Sequence, residues 1–177
     1  MNMDKAVLNV IHSRKSVRHY TEQAVSREAL ETLVRAGMSA PSAINRQPWV
    51  FIAIDERQIL DELGSRLPYA RMLLKTKAAI VVCGDMERAP DEWQQAFWIQ
   101  DCSAATENIL IAAEAMGLGS VWTAVYPARD RIEIVRRSLN LPDHIIPLNV
   151  LPIGYPDHID KPKDKWNPGK LVWNQWV

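Results

Sequence analysis

Two amphipathic helices are predicted in the first forty residues. The first ends near Ser13, and the second begins at Ser26, whose hydroxyl can cap it, and stops around Gly37 to Pro41. Glu28 in the first turn favours the same start, because a carboxylate is stabilised at a helix N-terminus. The apolar residues that define the two faces recur at helical spacing: Ala6, Val7, Val10 and Ile11, and then Leu30, Leu33 and Val34.

Two uninterrupted apolar runs, at residues 50–54 and 78–83, predict central strands that are covered on both faces. Shorter strands are predicted at residues 120–123 and 148–153. Helices are predicted between them, from Asp55 as a cap to about Leu63 and over residues 130–139. The longest periodic stretch, residues 91–116, predicts a core helix, and we expect Gly117 to end it in a left-handed conformation.

This alternation of helices and strands predicts an α+β protein of three layers, α/β/α, in which a mixed sheet of four or five strands lies between helices. A chain of 177 residues with 47% hydrophobic content can bury a substantial core, so we expect a single domain over residues 1–177. The last segment carries Trp166, Trp173 and Trp176. Exposed tryptophans are costly, so we expect this tail to pack onto another surface.

The charges balance, with 21 Lys and Arg against 21 Asp and Glu. No global field therefore favours nucleic acid or an anionic membrane, and neither is expected as a partner. No apolar run approaches the roughly 20 residues of a membrane span, and the N-terminus lacks the apolar core of a signal peptide, so we expect a cytoplasmic protein. Cys83 lies in an apolar run and Cys102 in a helical pattern, so two buried thiols are expected rather than a disulfide, and the absence of C-x-x-C leaves no redox motif.

Several common catalytic motifs are missing. The chain has no G-x-G-x-x-G fingerprint, no Walker A loop, no G-x-S-x-G elbow and no H-E-x-x-H. The four histidines lack the spacing of metal ligands: His12, His19, His144 and His158. We therefore expect no metal site, and acid–base or metal hydrolases are disfavoured.

The first candidate site is a cluster of three cations and a hydroxyl within five residues, formed by Arg14, Lys15, Ser16 and Arg18. Arginine offers a planar fork to two phosphate oxygens, and lysine and serine add a charge and a donor, so the cluster suits a phosphate. A solvated basic turn is the structural alternative. The basic segment Lys161, Lys163 and Lys165 could close over the same phosphate, or could equally be a solvated charge run.

The second candidate is the loop at residues 40–49, in which Pro41 and Pro48 bracket Ser42, Asn45 and Gln47. Amide side chains both donate and accept hydrogen bonds, which suits a uracil-like ring edge or a ribityl chain. A stiff structural turn, with side chains bonded to their own backbone, is the alternative.

In their order and spacing, these segments resemble the FMN-dependent nitroreductase family. The resemblance rests on residues 14–18, 40–49 and 117–122, on the helix at 104–110, and on the ending 153–156 followed by Lys163-Asp164-Lys165, and so covers essentially the whole chain. It implies a nitroreductase-like fold, an FMN site shared between the subunits of a homodimer, and a C-terminal tail that extends onto the partner. Positions 15 and 165 carry Lys where the family commonly has Arg, which keeps the charge but loses the fork.

The resemblance implies three groups of FMN-binding residues. Those expected at the phosphate and the polar edge of the flavin are Arg14, Lys15, Ser16 and Arg18, joined by Lys163 and Lys165. Those expected to reach the flavin from the partner subunit are Pro41, Ser42, Ala43, Asn45 and Gln47. Those expected along the ring are Trp122, Thr123 and Ala124.

The implied activity is an FMN-dependent NAD(P)H oxidoreductase. Hydride from NADH or NADPH would pass to the flavin N5 and then, in a ping-pong cycle, to a nitroaromatic, quinone or activated alkene. No protein acid, base or metal is assigned. Three alternatives stay open: a non-catalytic flavin or nucleotide carrier, an FMN enzyme of the same fold with another chemistry such as dehalogenation or flavin cleavage, and a scaffold dimer without a cofactor.

Overall fold

The computed structural model describes residues 3–158 and 160–176, with side chains from Ala6 onward. The helices are α1 Met3–Ser13, α2 Arg27–Met38, α3 Arg57–Arg66, α4 Glu92–Gln95, α5 Trp98–Ala115 and α6 Arg129–Ser138. The strands are β1 Trp49–Ile54, β2 Ala78–Asp85, β3 Gly119–Ser120, β4 Thr123–Ala124 and β5 Ile145–Gly154. None of the described helices combines the length and hydrophobicity needed to cross a bilayer.

The five strands form one sheet in the order β1-β2-β5-β3, with β4 also paired to β5. All four ladders are antiparallel, as in the pairing of Phe51 with Val82 and of Ile80 with Leu151. We expected a sheet with both parallel and antiparallel strands. Among the described residues, the parallel pairing is the isolated bridge between Ser16 and Ser120. Continuous apolar runs indicate burial on both faces, and they carry no information on strand direction when helices cover both faces.

The three layers follow from the alternation of side chains along the strands. In β2, Ile80 and Val82 pack into a core with α2 and α5, whereas Val81 and Cys83 pack into a second core with α3 and α6. Both cores consist mainly of buried aliphatic side chains, and the first also contains Trp49 and Trp98. The α/β/α arrangement predicted from the sequence is confirmed. The two cysteines are free and buried, as predicted.

Two helix boundaries differ from the prediction. The stretch at residues 91–116 forms two helices, α4 and α5, and the break at Phe97 accompanies packing of the Trp98 indole onto the backbone of Gly84. The N-cap position of α3 is Glu56, one residue later than predicted, and the Asp55 carboxylate binds Arg27, with 2.6 Å between Nε and Oδ2. Local propensity could not show either tertiary contact.

Candidate functional site

The basic motif, residues 14–18, leaves the end of α1 and runs beside β3. Ser16 forms a bridge with Ser120, and the backbone N–H of Val17 donates to the Ser120 carbonyl at 2.9 Å. Gly119 permits this approach, since a Cβ there would lie 2.6 Å from Cγ1 of Val17. The fold therefore brings two of the three predicted segments together, the basic motif and the stretch after Gly117.

Two cations of the basic motif are held by carboxylates of α5. Arg14 Nε lies 3.2 Å from Glu107 Oε1, and Lys15 Nζ lies 3.0 and 3.2 Å from the two carboxylate oxygens of Glu114. The Lys15 and Glu114 side chains are only 14% and 16% exposed, so this pair fixes the motif on the helix. Arg18 is exposed. In the described contacts Arg14 uses Nε alone, so its two terminal amino groups and the exposed Arg18 are better placed than Lys15 to offer donors to an anion.

The segment beside the motif holds polar atoms that lack partners. Among the described residues, the buried hydroxyls of Ser120 and Thr123 and the buried Oδ1 of Asn149 have no hydrogen-bond partner. Ser120 lies opposite Ile153 and Thr123 opposite Val150, so these atoms are spread along the second half of β5. A buried polar group without a partner costs about 1–3 kcal/mol, and a polar ligand or water could supply the missing bonds.

The predicted ring contacts differ in exposure. Trp122 is half-buried and packs against the α2 and α5 core, Thr123 is buried and Ala124 is exposed. Of the three predicted ring contacts, Ala124 alone is exposed, and its carbonyl accepts from Arg131 at 3.1 Å.

The loop at residues 41–47 has an unusual backbone. Ile44, Asn45 and Gln47 have φ values of 45°, 58° and 53°, a left-handed conformation that costs non-glycine residues about 1–3 kcal/mol each. The Ser42 hydroxyl accepts from the Gln47 N–H at 3.0 Å, and the Gln47 amide donates to Asn45 Oδ1 at 2.9 Å. Pro41, Asn45 and Gln47 are exposed, and Ser42 and Ala43 are half-buried. The predicted loop residues thus shape a strained, outward-facing turn.

Helix α5 separates this loop from the basic motif. The loop is fixed near the start of α5, where the Ala43 N–H donates to Asp101 Oδ1 at 3.0 Å, whereas the motif is fixed on Glu107 and Glu114. At about 100° per residue, Asp101 points roughly 120–140° around the helix axis from the two glutamates, and Glu114 lies about 20 Å further along it. One chain therefore places the two segments on different sides of α5.

Lys163 and Lys165 lie in the tail at residues 160–176 and make no described contact with the motif. Every described residue of this segment is exposed, and its hydrogen bonds join residues no more than three positions apart, as between the Trp166 N–H and Asp164 Oδ1. Within one chain the structure does not bring the late lysines to Arg14. Their predicted role in phosphate binding stays a prediction.

Comparison with known proteins shows the family to which the chain belongs. The model of the Nitroreductase family matches residues 11–71 and 64–155, which include the basic motif, the loop and the stretch after Gly117. The chain belongs to the Nitroreductase family.

Members of the family from distant organisms are similar over nearly the whole chain. A Parabacteroides distasonis protein, provisionally named NADH dehydrogenase/NAD(P)H nitroreductase, is 52% identical, with a TM-score of 0.91 over 97% of this chain and 99% of that one. A Methanothermobacter thermautotrophicus protein of the same provisional name is 40% identical, covering 96% of this chain and 87% of its own. A Desulfovibrio desulfuricans protein, provisionally named a nitroreductase and solved in complex with FMN, is 28% identical, with a TM-score of 0.80 over 97% and 98% of the two chains.

Sequence reasoning missed the carboxylates that hold the family's motifs in place. Asp101, Glu107 and Glu114 lie on a helix that was predicted, but their partners are far away in sequence: Lys15 and Glu114 are 99 residues apart. The seven-residue spacing of Glu107 and Glu114, which puts them on one helix face, is the available signal. It indicates a charged stripe without identifying its partners.

The structure also groups one histidine with two carboxylates. His144, Asp85 and Glu87 lie with their ligand atoms within 4.8 Å of one another, because the pairing of β2 with β5 sets Asp85 opposite Ile145. The His144 Nδ1 is 3.5 Å from a Glu87 oxygen, and Arg88 also approaches the Asp85 carboxylate at 3.5 Å. Linear spacing could not reveal this group, and the nearby guanidinium already balances part of its negative charge.

Proposed function

We propose that this protein is an FMN-dependent NAD(P)H oxidoreductase whose cofactor site is built by two subunits. The observation that carries the proposal is the position of the basic motif and the 41–47 loop on different sides of α5. A single site that uses both segments needs the loop of a second copy. One domain, residues 1–177, then supplies half of each of two identical sites, as a twofold axis requires.

The residues of the basic motif fit the phosphate of FMN. Arg14 and Arg18 offer planar guanidinium donors, and Ser16 offers an exposed hydroxyl. The Lys15 ammonium is bound to Glu114 and lies next to these donors in the motif. Beside them, the Ser120 and Thr123 hydroxyls without partners suit the polar groups of a flavin. The Desulfovibrio desulfuricans protein of the same fold was solved with FMN, which supports this choice of ligand.

The chemistry would belong to the flavin, which accepts a hydride from NADH or NADPH at N5 and delivers it to an electron-poor acceptor. The protein's own residues would bind and orient this group. Arg18 or Lys15 near the pyrimidine edge would favour a negatively charged ring by Coulomb attraction. Trp122, Thr123 and Ala124 would run along the ring, and exposed Ala124 would leave room above it. Nitroaromatics, quinones and activated alkenes are the proposed acceptors, since all are flat and electron-poor.

A homodimer would also cover the apolar surface that one chain leaves open. Val7, Leu8 and Ile11 of α1 are exposed, as are the three tail tryptophans. Strand β1 lies at the edge of the sheet, and a groove of about 900 Å³ runs along it between α2 and α3, floored by Phe51 and Ile52. A row of unpaired backbone groups over apolar side chains accepts an extended segment.

We propose the partner's tail as the occupant of this groove. The tail is exposed over its described length, its described hydrogen bonds are local, and its exposed apolar side chains could cover the apolar floor of the groove. These side chains are Trp166, Leu171, Val172, Trp173 and Trp176. Its path across the second subunit would carry Lys163 and Lys165 toward a flavin phosphate, which would complete the predicted cation set.

The cofactor claim is tested by the absorbance spectrum of the purified protein and by identification of the released chromophore. We expect FMN at about one per chain and oxidation of NAD(P)H with a quinone. Arg14→Ala should weaken FMN retention, whereas the matched control Arg66→Ala, which removes a surface arginine paired with Glu62, should not. A colourless protein that refuses added FMN would contradict the proposal, and FMN binding without turnover would favour the carrier.

The composite site is tested by mixing two defective chains. One carries Arg14→Ala and Arg18→Ala, and the other carries Ser42→Ala and Asn45→Ala. If each site joins the motif of one chain with the loop of the other, a mixed dimer holds one intact site, and mixing restores FMN binding to at most half of the sites. If each chain builds its own site, mixing restores nothing and the shared site is wrong.

A further inference from the structure

Asp101 is a buried carboxylate that neither the predicted motifs nor the hydride chemistry uses. It lies in the first turn of α5, is 7% exposed, and has no cationic partner among the described contacts. Burial raises the pKa of Asp101, and the hydrogen bond from the Ala43 N–H opposes this rise. Burying a carboxyl group with a single hydrogen bond is costly, so its position calls for a compensating role.

The hydrogen bond from Ala43 reaches the 41–47 loop where its strained part begins. Ile44 and Asn45, the next two residues, both have positive φ values, and Ile44 is β-branched, for which this conformation is least tolerated. The other described hydrogen bonds that form the turn join loop residues to one another: Asn45 N–H to Ser42 O, Arg46 N–H to Ala43 O, Gln47 N–H to Ser42 Oγ, and Gln47 Nε2 to Asn45 Oδ1.

Among the described contacts, the Asp101 side chain thus makes the hydrogen bond that joins the turn to helix α5. Strained conformations persist only where the surrounding structure determines them. Internal bonds give the loop a shape, but they do not fix its direction relative to the body, whereas a bond to a rigid helix does.

We propose that Asp101 is a positioning residue that holds the 41–47 loop in the conformation in which it contacts the FMN of the partner subunit. This inference rests on the proposed function. An anchored loop is already in its binding conformation, whereas a released loop relaxes and must be ordered again whenever the cofactor binds. The association constant for FMN is therefore multiplied by the fraction of time that the loop spends in the binding conformation.

The geometry distinguishes an acceptor oxygen from a negative charge. Asp101→Asn keeps an oxygen at the Oδ1 position that can accept from Ala43, and Asp101→Ala removes it. If positioning depends on the hydrogen bond, Asn rescues what Ala loses. Ile109→Val is the matched control, because it disturbs the buried face of the same helix next to Gly37 without touching the loop.

The test measures the dissociation constant of FMN by flavin fluorescence, with thermal unfolding measured on each variant. We expect Asp101→Ala to weaken FMN binding roughly tenfold or more, and Asp101→Asn to stay within about threefold of the original protein. Unchanged FMN binding in Asp101→Ala overturns the inference. An equal loss in Ile109→Val at a matched melting temperature also overturns it, because the effect would then be general destabilisation.

A second readout does not need the cofactor. Arg46 lies exposed within the loop, so trypsin can report how often the turn opens. Cleavage after Arg46 should be faster in Asp101→Ala than in Asp101→Asn, with and without FMN. If the original protein binds no FMN, the proposed function fails, and this cleavage pattern still decides whether Asp101 holds the loop; equal cleavage in all variants shows that it does not.

Discussion

The tryptophans of the body and those of the tail lie in opposite environments. Trp49 and Trp98 are 7% and 5% exposed and pack in the core between the sheet and α2 and α5. Trp173 and Trp176 are 76% and 87% exposed on an extended segment. The same side chain is worth several kcal/mol when buried and is a liability when exposed in a cluster. The cores of the body are therefore closed within one chain, whereas the tail leaves its tryptophans exposed.

Deleting the tail tests this difference most severely. A chain that ends at Asp160 loses the apolar segment proposed to cover the partner's β1 edge, together with Lys163 and Lys165. We expect it to elute as a monomer and to bind no FMN, measured by light scattering and by flavin absorbance. Circular dichroism should still report a folded body, because the two cores lie between Val17 and Ile153. A truncated chain that remains dimeric would refute the proposed role of the tail.

A pair of alanine substitutions compares the two environments directly. Trp98→Ala should lower the free energy of unfolding by about 3–5 kcal/mol, the usual cost of removing a buried aromatic side chain. Trp176→Ala should not lower the stability of the monomeric body, and it should instead raise the dimer dissociation constant. Urea denaturation at several protein concentrations separates the two effects, since only a dimer-linked change depends on concentration. Equal losses independent of concentration would mean that the tail packs on its own chain.

An effect of alkaline pH is expected for the body alone, and it is small until the pH rises well above 9. Burial raises the pKa of the Cys83 thiol from 9.0 to about 12 and also raises the pKa of Cys102. Above pH 9 the unfolded chain loses these protons while the folded chain keeps them, so folding is weakened as pH rises. We expect the urea midpoint to fall between about pH 9 and 12, and less steeply in Cys83→Ala. An unchanged slope in that variant would contradict the assignment.

Local features of the fold could be predicted from the sequence. Ser26 caps α2 by accepting the Ala29 N–H, and Gly117 has a φ of 71°, both as predicted, because caps and left-handed turns depend on a few neighbouring residues. Strands β1 and β2 could be predicted because a continuous apolar run indicates a strand that is buried on both faces. Strand direction, the break at Phe97 and the ion pair of Asp55 could not be predicted, since each depends on residues that approach only in the folded chain.

The candidate site divides in the same way. The residue types of the basic motif and the loop carry the family's pattern, so the sequence indicated both segments. The left-handed backbone of Ile44 could not be foreseen, because a β-branched residue is the least expected in that conformation. The attachment of the basic motif and the loop to different sides of α5 could not be predicted either. This attachment is the feature that favours a shared site.

The open edge of β1 has a consequence for how the protein is made. The ribosome synthesises β1 about 100 residues before the tail. At 5–20 residues per second, a chain therefore carries a finished β1 for roughly 5–20 seconds before its own tail is made and two chains can exchange tails. During that interval nascent chains on one messenger RNA expose adhesive strand edges to one another. Slow translation of the second half should therefore favour aggregation, and chaperones that bind extended apolar segments should be needed until the last tryptophan has emerged.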